Sequence, residues 1–137
     1  MKKGRVFSDG GARGNPGPAA VGVLICGAKG EVLKEHRETI GETTNNVAEY
    51  RAVIRGLELA QEAGLQEVEY FLDSELVARQ LSGEYRVKSL HLKDLFLQVK
   101  DREKSFRKVV YRHVPREHEK IRWVDRLVNE ALNLAGA

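Results

Sequence analysis

The chain has 137 residues and a hydrophobic fraction of 42%, enough for one domain with a core of its own. Its 23 basic and 20 acidic residues leave a formal charge of +3, a mild excess that suits an anionic partner without identifying one. No apolar run approaches a membrane span, MKKGRVFSDGG lacks the apolar stretch of a signal peptide, and a lone Cys26 rules out an internal disulfide or a thiolate zinc cage. The expectation is a single soluble domain over residues 1–137, cytoplasmic and without a membrane partner.

Residues 5–9 read as a short strand, closed by the turn-rich GGARGNPGP. Residues 20–26 are nearly all apolar and suit a strand buried on both faces, with Cys26 as core filler. Residues 28–30 offer a hairpin turn into a more polar third strand over 32–40. The period changes at Thr44: Glu49, Val53, Leu57 and Ala60 share one helical stripe, which ends near Gly64. Residues 68–73 alternate as a fourth strand, and Ser74 can cap a short helix through Leu81 that stops at Gly83. Leu92, Leu95, Phe96 and Val99 mark an amphipathic helix, and residues 108–114 form a fifth strand ending at Pro115. From about Arg122 the tail is helical, with Val124, Leu127, Val128, Ala131 and Ala135 on one face. This order predicts an α/β domain built on one sheet with flanking helices.

Four carboxylates stand out by position: Asp9 ends strand one, Glu49 lies in the first turns of a helix, Asp73 ends strand four, and Asp125 opens the last helix. Asp9 shares a strand face with Phe7, Asp73 with Phe71, and Glu49 with its helix's apolar stripe. An ionised carboxylate on an inward face is costly unless a cation or donor compensates it. If the ends of strands one and four are neighbours, these oxygens converge into an all-oxygen cage of the kind hard Mg²⁺ or Mn²⁺ ions prefer. Two such ions could activate a water on one side of a phosphodiester and stabilise the leaving oxygen on the other.

FSDGGARGNPGPAAVG, TTNNVAEYRAVIRGLELA, YFLDSELVARQLSGEY, and HVPRE followed by VDRLVNEAL are the blocks on which the chain resembles type 1 ribonuclease H over nearly its whole length. The resemblance implies a ribonuclease H-like fold: a five-stranded mixed sheet, three antiparallel strands then two parallel, flanked by helices. It implies an endonuclease that hydrolyses the RNA strand of an RNA–DNA hybrid with two Mg²⁺ or Mn²⁺ ions, leaving 3′-hydroxyl and 5′-phosphate ends, and a monomer with no obligate protein partner. Metal binding and catalysis fall to Asp9, Glu49, Asp73 and Asp125. Gly14, Asn15, Asn45 and Asn46 are expected to contact the RNA strand, where amides can pair with 2′-hydroxyls. Thr44 is expected at a phosphate of the DNA strand, although turn chemistry and helix capping also account for Gly14, Asn15, Gly17 and Thr44. His118, on the loop before the last helix, is the candidate that assists water activation or product release, with His113 the alternative.

The chain departs from the family pattern in several places. Glu75 stands where many members have a glutamine, and Ile121 where an asparagine commonly precedes the last aspartate by four residues. Between Gly83 and Leu90 only EYRVKS replaces the basic helix that some members insert, leaving Arg79, Arg86, Lys88 and Lys93 as weaker phosphate contacts. Two rival readings fit the residues less well. A proofreading-type exonuclease carries an acidic pair two residues apart in strand one, but Gly10 and Gly11 follow Asp9 here. A non-catalytic binding module facing phosphate would gain from losing four carboxylates that this chain keeps.

Overall fold

The computed structural model describes residues 2–137. Five strands, β1 (Lys3–Ala12), β2 (Gly17–Gly27), β3 (Val32–Thr43), β4 (Glu67–Leu72) and β5 (Lys108–His113), form one sheet in the order β3-β2-β1-β4-β5. β1, β2 and β3 pair antiparallel, whereas β4 joins β1, and β5 joins β4, in parallel. Four helices complete the chain: α1 (Asn45–Glu62), α2 (Glu75–Leu81), α3 (Leu90–Glu103) and α4 (Glu119–Leu134). The mixed sheet and its element order are as the sequence led us to expect. Among the described residues no helix is long and apolar enough to cross a membrane.

Alternation along the strands sorts the core onto two faces. Val6, Val23, Ile25, Val68, Tyr70 and Leu72 point to one side, where they pack with α1, α2 and α3. Phe7, Leu24 and Cys26 point to the other and meet Ile121, Val124 and Leu127 of α4. Each of these three α4 side chains is almost wholly buried, and burial of that kind stabilises by about 1.5–3 kcal/mol per side chain. Ile121 is thus a core residue here, and the neighbouring Trp123 donates its indole N–H to Glu35 at 2.8 Å.

Serine and threonine caps set where three helices start. The hydroxyl oxygens of Thr44, Ser74 and Ser89 accept from the amides of Val47, Val77 and Leu92, satisfying donors that a helix end would otherwise leave unpaired. His118 does the same for α4, its Nδ1 accepting from Lys120 N at 3.1 Å. Several boundaries correct the sequence reading: the first three strands run longer than expected, and β1 continues to Ala12, which leaves Asp9 inside the strand and not at its end. α4 begins at Glu119 instead of near Arg122, because the His118 cap adds a turn, so Asp125 lies beyond the first turn and owes nothing special to the helix end. β4 closes at Leu72, leaving Asp73 in the turn just past the strand.

Two glycines let helices approach the sheet closely from opposite sides. A Cβ at Gly10 would run into the Ala48 carbonyl of α1, and one at Gly22 would stand 2.6 Å from the Val124 carbonyl of α4. Gly22 is the register partner of Asp9. Both contacts therefore lie beside the stretch of β1 that carries this aspartate.

Candidate active site

The parallel register between β1 and β4 pairs Phe7 with Phe71, and their rings stack with centroids 4.7 Å apart. Two residues further along each segment stand Asp9 and Asp73, so the same register brings these carboxylates together. Glu49 enters from α1, close enough across Gly10 for its Oε1 to accept the Gly10 amide at 3.2 Å. One carboxylate oxygen from each of Asp9, Glu49 and Asp73 lies within 4.8 Å of the others. Asp125, one residue past the Val124 carbonyl that abuts Gly22, lines the same open cleft of about 700 Å³.

This convergence is electrostatically expensive. Asp9 and Glu49 are each only 8% exposed, and Glu49 Oε2 is buried with no hydrogen-bond partner among the described residues. Burial is the main cause that pushes Asp9 up from an ordinary 3.8 to about 7, with repulsion from Asp73 and Asp125 adding to it against the Glu49 hydrogen bond. Burial, then the Asp9 charge, drives Glu49 well above the usual carboxylate range. Asp73 is raised too, again mainly by burial, while the nearby Arg116 and, more weakly, His113 pull it back down. An orphaned buried oxygen beside two further carboxylates is a donor set suited to a hard divalent cation, whose charge would offset the desolvation and the mutual repulsion.

The predicted substrate residues border the cleft but spend part of their polarity on architecture. Asn45 Oδ1 accepts from Ala12 N at 2.8 Å, and Asn15 Oδ1 accepts from Asn45 N at 3.0 Å. These bonds tie the β1–β2 turn to the start of α1 and leave the amide NH₂ groups of Asn15 and Asn45 as the donors a ligand could use. Asn46 lines the cleft with Asn45; Asn15 and Thr44 line an adjoining groove with both. Gly14 occupies the turn itself. His118 is not among the residues that line the cleft, and its ring lies 5.4 Å from that of Phe7. His113 ends β5, within electrostatic range of Asp73.

Sequence reasoning missed three contributors. Arg116 pairs with Asp73, Nε to Oδ2 at 3.8 Å, from the loop between β5 and α4. Arg13 also lines the cleft and is held by the Ala137 carbonyl and by Asn129. Gly22 admits α4 to the site. The signal for Gly22 was present, because a glycine inside an otherwise apolar strand marks close approach by another backbone.

The chain matches the family model described as reverse transcriptase-like over residues 7–131. It is 43% identical over 131 residues to a bifunctional protein of Mycobacterium tuberculosis, covering 95% of this chain and 35% of that one. A ribonuclease HI of Halobacterium salinarum is 39% identical over 132 residues, covering 95% of this chain and 65% of the relative. The chain thus spans from about a third to about two thirds of the length of these relatives. Among solved structures, the ribonuclease H1 from H. salinarum superimposes with a TM-score of 0.91 at 37% identity, covering 96% of this chain and 98% of that one. LC11 ribonuclease H1, solved in complex with an RNA/DNA hybrid, gives a TM-score of 0.91 at 45% identity, covering 98% of this chain and 99% of that one. With the sheet order, the converging carboxylates and matches of this extent in agreement, the chain belongs to the type 1 ribonuclease H family.

Proposed function

We propose that the chain is an endonuclease that hydrolyses the RNA strand of RNA–DNA hybrids, with Asp9, Glu49, Asp73 and Asp125 as its metal-binding and catalytic residues. The observation that carries this reading is the meeting of three ligating oxygens within 4.8 Å beside an unpaired Glu49 Oε2, at the base of a cleft that Asp125 also lines. The hybrid bound by the LC11 relative supports the choice of substrate.

Two Mg²⁺ or Mn²⁺ ions bound by these carboxylates would supply an activated water and neutralise charge on the phosphate and the leaving oxygen, giving 3′-hydroxyl and 5′-phosphate ends. The protein's own part is positioning. Glu49, held by the Gly10 amide, and Asp9, flanked by Gly22, sit on rigid elements whose backbones cannot drift apart without breaking the contacts at Gly10 and Gly22. The turn carrying Gly14 and Asn15, locked to Asn45, offers amide donors to sugar hydroxyls and so favours RNA on the strand that is cut. Thr44 borders the adjoining groove, where the second strand's phosphate would lie.

Of the two histidines before α4, His113 is the better placed to move a proton, because it pairs in register with Leu72, the residue before Asp73. His118 uses Nδ1 as a helix cap and packs its ring on Phe7. Labelled RNA–DNA, RNA–RNA and DNA–DNA duplexes of one sequence, incubated with and without divalent ion, test the function. Internal cutting of the RNA in the hybrid alone, dependent on the ion and lost in Asp73→Asn, is expected. Near-normal cleavage by Asp73→Asn would refute the site assignment, and binding of hybrid without any cleavage would make the protein a binding module.

A further inference from the structure

Arg116 sits on the connection between β5 and α4, whose two sides are fixed by Val114 N donating to Leu72 O at 3.0 Å and His118 N donating to Pro115 O at 3.1 Å. Between these anchors its side chain is 82% exposed, yet it reaches back to Asp73, itself only 15% exposed at the side chain. The two arginines of the cleft differ in kind. Arg13 is tied to the Ala137 carbonyl and Asn129, whereas the single long contact to Asp73 is the only polar partner of Arg116 among the described residues. One arginine is a strut, and the other is a solvent-exposed charge with a single long contact.

We propose that Arg116 is an exchangeable counter-ion and substrate-binding residue: it pairs with Asp73 while the carboxylates hold no divalent cation, and moves to a backbone phosphate of the hybrid once that cation takes up the Asp73 charge. The inference rests on the function proposed above. A single ion pair at 3.8 Å, with its arginine exposed to solvent, contributes little and is given up easily. A guanidinium on a phosphate can form two parallel charge-assisted hydrogen bonds, a stronger arrangement than the one it leaves. Asp73 is thereby spared an uncompensated charge in the free protein, and the cleft gains a phosphate contact only when it is ready to act. Arg116 thus serves both states of the cleft without touching the bond that is broken.

The test compares wild type, Arg116→Ala and Arg116→Lys in three readouts, after thermal unfolding has shown all three to be folded. Manganese binding to the free proteins by calorimetry should tighten about two- to fivefold in Arg116→Ala, because a competing cation has gone. Hybrid binding by fluorescence anisotropy should weaken roughly tenfold in Arg116→Ala, with the slope of log affinity against log salt reduced by about one phosphate contact. Arg116→Lys should keep the salt slope and recover part of the affinity. Unchanged or weaker manganese binding in Arg116→Ala overturns the pairing, and unchanged hybrid affinity and salt slope overturn the transfer to phosphate. If wild type itself fails to cleave hybrid, the proposed function falls, whereas the manganese comparison still reports on Arg116.

Discussion

Replacing Asp9 by asparagine should stabilise the metal-free protein at alkaline pH while destroying its activity. The native fold pushes Asp9 from an ordinary 3.8 to about 7, chiefly by burial. Between these two values the folded chain holds a proton that the unfolded chain has released, so stability falls as pH rises through that window, and the penalty is complete above it. The displacement corresponds to a ceiling of about 4 kcal/mol against the ionised form. Because Asp9 and Glu49 repel each other and can share one proton, a gain of about 2–4 kcal/mol is the expected benefit of a neutral amide at pH 8. In a chain of this size that raises Tm by on the order of 10 °C. Thermal unfolding of wild type and Asp9→Asn in chelator, at pH 5 and pH 8, reads the effect. The variant should exceed wild type at pH 8 by clearly more than at pH 5, and saturating Mg²⁺ should narrow the gap. Equal Tm values at both pH values, or a less stable variant at pH 8, would refute the reasoning that this carboxylate is buried at a cost.

Other substitutions probe other parts of the account. Gly22→Ala should lower stability by about 1–3 kcal/mol, since a methyl group there meets the Val124 carbonyl and the Leu127 side chain, and should reduce cleavage by moving Asp125; denaturant titration and hydrolysis assays check the two effects. His118→Ala should cost about 1 kcal/mol through loss of the α4 cap, with a smaller effect on turnover than His113→Ala, as single-turnover kinetics would show. Hybrid affinity should be modest and should fall steeply between low and moderate salt, because the contacts available are to phosphate.

Much of the arrangement was legible in the sequence, for identifiable reasons. The β1 and β4 patterns put Asp9 in phase with Phe7 and Asp73 in phase with Phe71, and a parallel pairing of the two strands was all that remained to bring them together. The helical stripe placed Glu49 on the inward side of α1, where it is found buried. What could not be read was the depth of approach between elements. A glycine inside β2 signals that some backbone comes close, but that α1 closes over Gly10 and α4 over Gly22 depends on packing across distant segments, which periodicity does not encode. The same limit hid Arg116, an ordinary charged loop residue until the fold sets it opposite Asp73. His118, the candidate that the resemblance placed on the loop before the last helix, has a structural part that the sequence did not announce: its ring nitrogen supplies the cap that starts α4.

Crystals grown with Mn²⁺ and a non-cleavable hybrid, measured at the manganese absorption edge, put the heart of the account to direct experiment. Two anomalous peaks roughly 4 Å apart are expected, bounded by the oxygens of Asp9, Glu49, Asp73 and Asp125 and facing an RNA phosphate. Peaks elsewhere, or none among these four side chains with hybrid plainly bound, would contradict it.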